Sequence, residues 1–345
     1  MSAPFRIFPL VTEKAATGKV ADIYQHARQE LGTVGLPLQA LSAADELLGP
    51  FWALLRESLL VGTPQERVSK EAVALAVSRN NGCDYCTSAH GFLLHAAGET
   101  TLATQLLSGE PPSDPERASQ VNWADRTAGN LENPASIRGP FDYGAGPRFI
   151  GTVLAFQFIN RMVTALTNDI FPLPKEKESQ VSSAWEEQLQ RHLTPGEGLK
   201  HMGEPAPWIK NAEFQIPTWA QESPVGGAWA RLKAVAEQGS QLLGETTAHT
   251  VSETIQRYVD KPPLRGDWID QSVQSIDGEP AAIRLALLAG VEPVRISPGA
   301  VDNLRDGSNL SDHCATFLMA YGAICATAHI EQTMIGASYS EAFNV

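Results

Sequence analysis

An all-α fold built from two tandem helical domains is what this sequence predicts, on three observations. Its apolar residues recur at helical spacing, no segment alternates strictly between apolar and polar residues between hairpin turns, and the order of helical segments in the first half recurs in the second. With 345 residues, 43% of them hydrophobic, the chain can bury a large core and is long enough for two domains.

In order, the spacing predicts helices over 18–31, 46–60, 64–78, 84–97, 101–108, 148–167 and 179–192. Gly32 and Gly98 stand where glycines in a left-handed conformation end helices. The stretch 113–147, rich in Pro, Gly, Asn and Asp, reads as a long ordered loop with one short helix, in which Trp123, Phe141 and Tyr143 either anchor the loop or cover a site. A second break runs from about 172 to 224 around one charged helix and holds seven prolines, among them Pro172, Pro205 and Pro217. The interdomain connection is expected there: a first domain over 1–172, a linker region with one helix over 173–224, and a second domain over 225–345. The mixed charges of 175–187 read as a solvated face.

Further helices are predicted over 226–243, 247–259, 267–275, 280–290, 298–305 and 311–335. The second half repeats the first: Gly49-Pro-Phe-Trp52 parallels Gly226-Gly-Ala-Trp229, and Gly82-Cys-Asp84-Tyr85 parallels Arg265-Gly-Asp267-Trp268. Gly151-Thr-Val-Leu-Ala-Phe parallels Ala315-Thr-Phe-Leu-Met-Ala in the closing helix. On this register Glu71 aligns with Thr254, Cys86 with Ile269 and His90 with Val273. The second copy has lost whatever chemistry the first holds.

Bulk charge narrows the function. A net charge of −13 and a pI near 5.1, with scattered lysines and arginines, leave no basic footprint for nucleic acid. The N-terminus lacks a basic start followed by a long apolar run, and no uninterrupted apolar stretch is long enough to cross a bilayer, so a cytoplasmic protein without membrane contact is expected. Four cysteines in so long a chain are too few for a secreted disulfide framework.

Two of those cysteines are close, in Cys83-Asp-Tyr-Cys86, with Glu71 before them and His90 after. If a helix begins at Asp84, Cys86 and His90 share a face at a spacing of four. The polar turn at 79–82 makes the flanking helices antiparallel neighbours, so Glu71 and His90 can meet across the contact. A carboxylate there would fix the imidazole tautomer and strengthen it as a base. Both cysteines fall in the first helical turn, where unsatisfied amides favour thiolate. Nearness to the helix end favours Cys83 as nucleophile and the His90 base favours Cys86; the base acts specifically, which selects Cys86. Attack on a peroxide would leave a sulfenic acid at Cys86, and Cys83 would condense with it to a disulfide.

These residues resemble the alkyl hydroperoxidase D-like group of the carboxymuconolactone decarboxylase superfamily. The match is Glu71, twelve residues to Cys83, and Cys83-Asp-Tyr-Cys86-Thr-Ser-Ala-His90, extending upstream through Ala21-Asp-Ile-Tyr24 and Phe51-Trp52 and downstream to Phe158-Ile-Asn160-Arg161. Residues 5–172 look like one family domain, and the second half resembles only its scaffold. The resemblance implies Cys86 as peroxidatic thiol, Cys83 as resolving, partner-facing thiol, and Glu71 and His90 as proton relay. It also implies an all-helical fold, a homo-oligomer (a dimer or trimer of two-domain chains) and re-reduction by a dithiol protein of thioredoxin-like or lipoyl type, with no bound cofactor. Tyr85 departs from those members that carry histidine or serine before the second cysteine, so a relay step through that position is not implied for this chain.

Other readings compete. Cys83, Cys86 and His90 lack a nearby fourth ligand for zinc. A lyase on a small lactone or acid would use Glu71 and His90 as acid–base groups without redox turnover, and a binding scaffold would carry a vestigial site. His95, five beyond His90, points elsewhere. Cys325 and His329 repeat the spacing of four, but Gly322 stands where a second cysteine would be, so Cys314 and Cys325 read as core cysteines.

Overall fold

The computed structural model describes residues 6–127, 139–141, 144–167, 202–208, 215–220, 223–263, 266–308 and 310–336. These form fourteen α-helices, and among the described residues there is no β-strand; the fold is all-α. The first half contains α1 (Gly18–Leu31), α2 (Leu36–Ala40), α3 (Asp45–Leu55), α4 (Pro64–Asn80), α5 (Asp84–Ala96), α6 (Thr100–Ser108), α7 (Pro115–Asp125) and α8 (Gly146–Leu166). The second contains α9 (Pro224–Ala236), α10 (Glu245–Asp260), α11 (Trp268–Ser275), α12 (Pro280–Val291), α13 (Pro298–Ser308) and α14 (Asp312–Gly336). The expected helix over 179–192, the charges of 175–187 and Tyr143 lie outside the described residues.

Local chemistry sets the helix ends. Four helices open with a cap followed by proline, which fills a position whose N–H has no helical partner. Thr63 accepts from the Glu66 amide at 3.1 Å, Asp114 from Arg117 at 2.8 Å, Ser223 from Val225 at 3.4 Å and Glu279 from Ala282 at 2.7 Å. α1 stops at Gly32, whose φ of 78° is left-handed and whose N–H reaches the Arg28 carbonyl.

Two expected helices change character before they end. The segment expected over 46–60 is α-helical to Leu55 and widens into a π turn over Arg56–Leu60. Arg56 and Glu57 are buried there in an ion-pair group: Arg56 reaches Glu57 at 2.7 Å, Glu204 at 2.5 Å and Glu30 at 3.3 Å. After α9 the chain tightens to a 3₁₀ turn over Glu237–Leu242, where Gly239 lies so close to the Phe317 carbonyl that a Cβ would sit 2.2 Å from it.

α4 packs against α5, α7 and α8, and α8 touches α3, α4 and α14. Helices that correspond in the sequence repeat meet each other, α3 with α9 and α8 with α14. Buried apolar side chains from both halves join one continuous cluster. Small residues permit the close contacts: a Cβ on Gly151 of α8 would lie 2.4 Å from Val225 Cγ1 of α9 and 2.9 Å from Ser58 Cβ. α8 and α14 are long and apolar enough to cross a bilayer, but most of each is buried within the protein, which accounts for their apolar character.

The described pieces of the 173–224 stretch pack back onto the helices. The Gly203 amide donates to Glu57 at 3.1 Å, and Trp208 meets the His26 ring edge-on at 5.0 Å. Trp219 is buried and, with Trp229, donates to Oε1 of Glu331.

Candidate active site

The site begins with the turn between α4 and α5. Gly82, at φ 65°, reverses the chain, so α5 runs back along α4. Cys83 is the N-cap residue of α5: its amide donates to the Ser78 carbonyl at 3.0 Å and its carbonyl accepts from Thr87 at 2.9 Å. Cys86 occupies the first turn, and His90 follows one turn later on the same face. Glu71 comes from the middle of α4. All four side chains are shut away, with exposures of 1% for Glu71, 0% for Cys83, 2% for Cys86 and 5% for His90. No disulfide joins the two cysteines.

Across the helix contact, Glu71 Oε2 lies 2.5 Å from His90 Nδ1. Its other oxygen is taken as well: Arg67, one turn earlier on α4, donates from Nε to Oε1 at 2.6 Å. Burial alone pushes the Glu71 carboxyl up, but the Arg67 guanidinium and then His90 outweigh it and hold the group down at about 2. An ionised carboxylate only accepts, so Nδ1 of His90 carries the proton and Nε2 is the nitrogen left to act as base in the neutral ring. Phe156 of α8 stands edge-on to that ring with centroids 4.5 Å apart and fixes its plane.

The structure thus brings together Glu71 and His90 as expected, and places Cys86 on the His90 face. The Tyr85 hydroxyl accepts from the Leu36 amide at 3.4 Å, and burial pushes its phenol upward. His95 is exposed. Trp123 and Phe141 form an anchor, edge to face at 4.6 Å, with Phe141 stacked on Phe149 at 4.1 Å. Cys325 is a core cysteine whose thiol burial pushes up to about 11, while its neighbour in the repeated spacing, His329, bonds Asp260 at 2.7 Å. Cys314 corrects the expectation of a core position: it is half-buried near the start of α14, within reach of the Ser311 hydroxyl.

Three side chains escaped the sequence reading. Arg67 was legible in principle, as a cation four residues before Glu71. Phe156 reaches the site from a distant helix and leaves no local signal. Lys70, fully buried beside Glu71, donates to the Val61 carbonyl, and burial pushes its amine well below the ordinary lysine value. A lysine in a helix of mixed polarity reads as a surface residue.

Away from the thiols, His26, Glu30 and Glu204 place one ligand atom each within 4.8 Å of the others, the spacing of a cation site. A cation already sits there in Arg56. Trp52 donates to His26 Nδ1 at 2.9 Å, which puts the neutral ring's proton on Nε2, and Arg56 supplies the cation to both carboxylates.

An all-α protein with a C-x-x-C at the start of one helix and a carboxylate–imidazole pair beside it presents the residue types that thiol chemistry uses. The chain is 31% identical over 341 residues, 95% of its length and 94% of the relative's, to a Mycobacterium tuberculosis protein named alkyl hydroperoxide reductase. It belongs to that alkyl hydroperoxidase D-like family. No family model matches the chain. No solved structure matches it either.

Proposed function

We propose that the chain is a thiol-dependent peroxidase with Cys86 as the attacking thiol, Cys83 as the resolving thiol, and His90 as the base held by Glu71. The observation that carries this reading is the 2.5 Å contact between Glu71 and His90, made across two helices, with His90 one turn after Cys86 on α5. In the first step Nε2 of His90 draws the Cys86 proton and the sulfur attacks one peroxide oxygen. The O–O bond breaks, Cys86 becomes the sulfenic acid, and the departing alkoxide takes the proton to leave as alcohol or water. The Cys83 thiol then attacks the Cys86 sulfur, water leaves, and a disulfide forms. Two electrons from a dithiol partner, thioredoxin-like or lipoyl-bearing, return both cysteines to thiols. The sealed site suits a small hydroperoxide, and a homo-oligomeric cytoplasmic enzyme without a bound cofactor remains the reading that goes with it.

The lyase alternative loses support from the same geometry. Glu71 is buried and already binds Arg67 through one oxygen and His90 through the other, which suits it to hold the imidazole rather than to meet a substrate itself. Peroxide consumption by Cys86→Ser and Cys83→Ser proteins tests the proposal. Cys86→Ser should be inactive, and Cys83→Ser should accumulate a sulfenic acid that dimedone traps. Full peroxide consumption by Cys86→Ser would overturn it.

A further inference from the structure

We propose that Arg67 is a positioning residue of this site, acting on the thiol only through Glu71 and His90. The inference rests on the thiol-peroxidase reading for its purpose, though not for its test. Arg67, Glu71 and His90 form one line of contacts: Nε of Arg67 to Oε1 at 2.6 Å, then Oε2 to Nδ1 at 2.5 Å. Arg67 and Glu71 are one turn apart on α4, and their side chains are 13% and 2% exposed. A guanidinium holding one carboxylate oxygen leaves the other aimed across the helix contact, so the imidazole gets a single partner in a single place.

Charge adds to the placing. Without Arg67, Glu71 and neutral His90 would form a buried pair of net charge −1, which takes up a proton to escape that state. The pair would then keep its extra proton to higher pH, and His90 would be unable to accept one from Cys86. Other cations whose partners are seen are engaged elsewhere: Arg161 of α8 bonds the Gly290 carbonyl at 3.0 Å and Arg56 of the π turn reaches Glu57 at 2.7 Å. Lys70 is beside Arg67 but its amine is pushed toward the neutral form, and Arg148 of α8 is held by Glu66 through contacts of 2.8 and 3.0 Å. On α4 itself Arg79 pairs with Asp125, and Arg117 of α7 pairs with Glu99.

The pH dependence of Cys86 alkylation by iodoacetamide, followed by mass spectrometry on the full chain, reads this without requiring peroxide turnover. Arg67→Gln should move the acid limb up by about one pH unit or more, a loss of about tenfold or more in rate below it, and approach the unchanged protein at high pH. Arg67→Lys, which keeps the charge, should leave the limb within about half a unit. In a Glu71→Gln background, adding Arg67→Gln should produce no further movement, which keeps the test open if the single variant folds poorly. An unmoved limb in Arg67→Gln, or a further shift in the double variant, overturns the proposal. Peroxide consumption by the unchanged protein is measured alongside: if it is absent while the limb moves as described, the peroxidase reading fails and the role of Arg67 stands.

Discussion

Glu71 and His90 are 19 residues apart in sequence and on different helices, yet Oε2 of one lies 2.5 Å from Nδ1 of the other. Replacing the carboxylate with its neutral isostere removes the acceptor charge while keeping the shape. Glu71→Gln should therefore lower the second-order rate of Cys86 with tert-butyl hydroperoxide by about 10- to 100-fold, the usual effect of losing a group that orients a functional imidazole. Circular dichroism should show an unchanged helix content. A rate equal to that of the unchanged protein would remove Glu71 from the relay.

The same carboxylate makes stability depend on pH in a known direction. Its folded-state value, about 2, lies below its ordinary value of 4.5, so the folded state binds fewer protons. The contribution is present above 4.5 and is lost as pH falls toward 2, and is on the order of 3 kcal/mol. Urea unfolding of the unchanged and Glu71→Gln proteins at pH 7 and pH 3 should show their stability difference shrinking at the lower pH. A gap that widens on acidification would contradict the sign.

Gly151 is the point where α8 meets α9. Gly151→Ala places a methyl 2.4 Å from Val225 Cγ1 and 2.9 Å from Ser58 Cβ, and neither is the end of a long flexible chain. Overpacking of this kind costs about 1–3 kcal/mol. The midpoint of denaturant unfolding should fall accordingly, and the double variant Gly151→Ala/Val225→Ala should recover part of the loss.

Glu331 holds two buried indoles through one oxygen, Trp219 at 2.8 Å and Trp229 at 2.7 Å. Glu331→Leu leaves both N–H groups without this acceptor, at about 1–3 kcal/mol for each. Glu331→Gln keeps an oxygen in place and should cost clearly less. Equal losses in the two variants would show that packing, not the shared acceptor, matters here.

Thiol accessibility separates the cysteines. A bulky maleimide should label half-buried Cys314 first, while Cys83 and Cys86 react slowly under native conditions. Cys325, pushed up to about 11, should react last of all once Cys314 is blocked. Peptide mapping of the labelled chain gives the order directly, and native labelling of Cys86 before Cys314 would show that the site opens readily.

Much of the fold and part of the site could be read from the residues alone, for reasons visible in particular positions. The spacing of Cys83, Cys86 and His90 becomes geometry as soon as a helix starts at Asp84, and a glycine-bearing turn of a few residues forces α4 and α5 together. The π turn at Arg56–Leu60 was not legible, because it accompanies ion pairs to Glu30 and Glu204 from segments far away in sequence. Pro205 and Pro207 suggested an open connection, whereas Glu204 and Trp208 on either side of them dock onto the π turn and α1. Phe156 and Lys70 share the same difficulty: their places depend on tertiary neighbours that no local pattern encodes.

The second half of the chain bears on the first. At the positions aligned with Glu71, Cys86 and His90 it carries buried Thr254, Ile269 and Val273. Helix α8 carries Gly151 under α9 and, five residues on and well round the helix, Phe156 against the His90 ring. One helix thus touches both α9 and the His90 ring. The packing of the second half against α8 therefore helps set where Phe156 stands, and with it the plane of the imidazole.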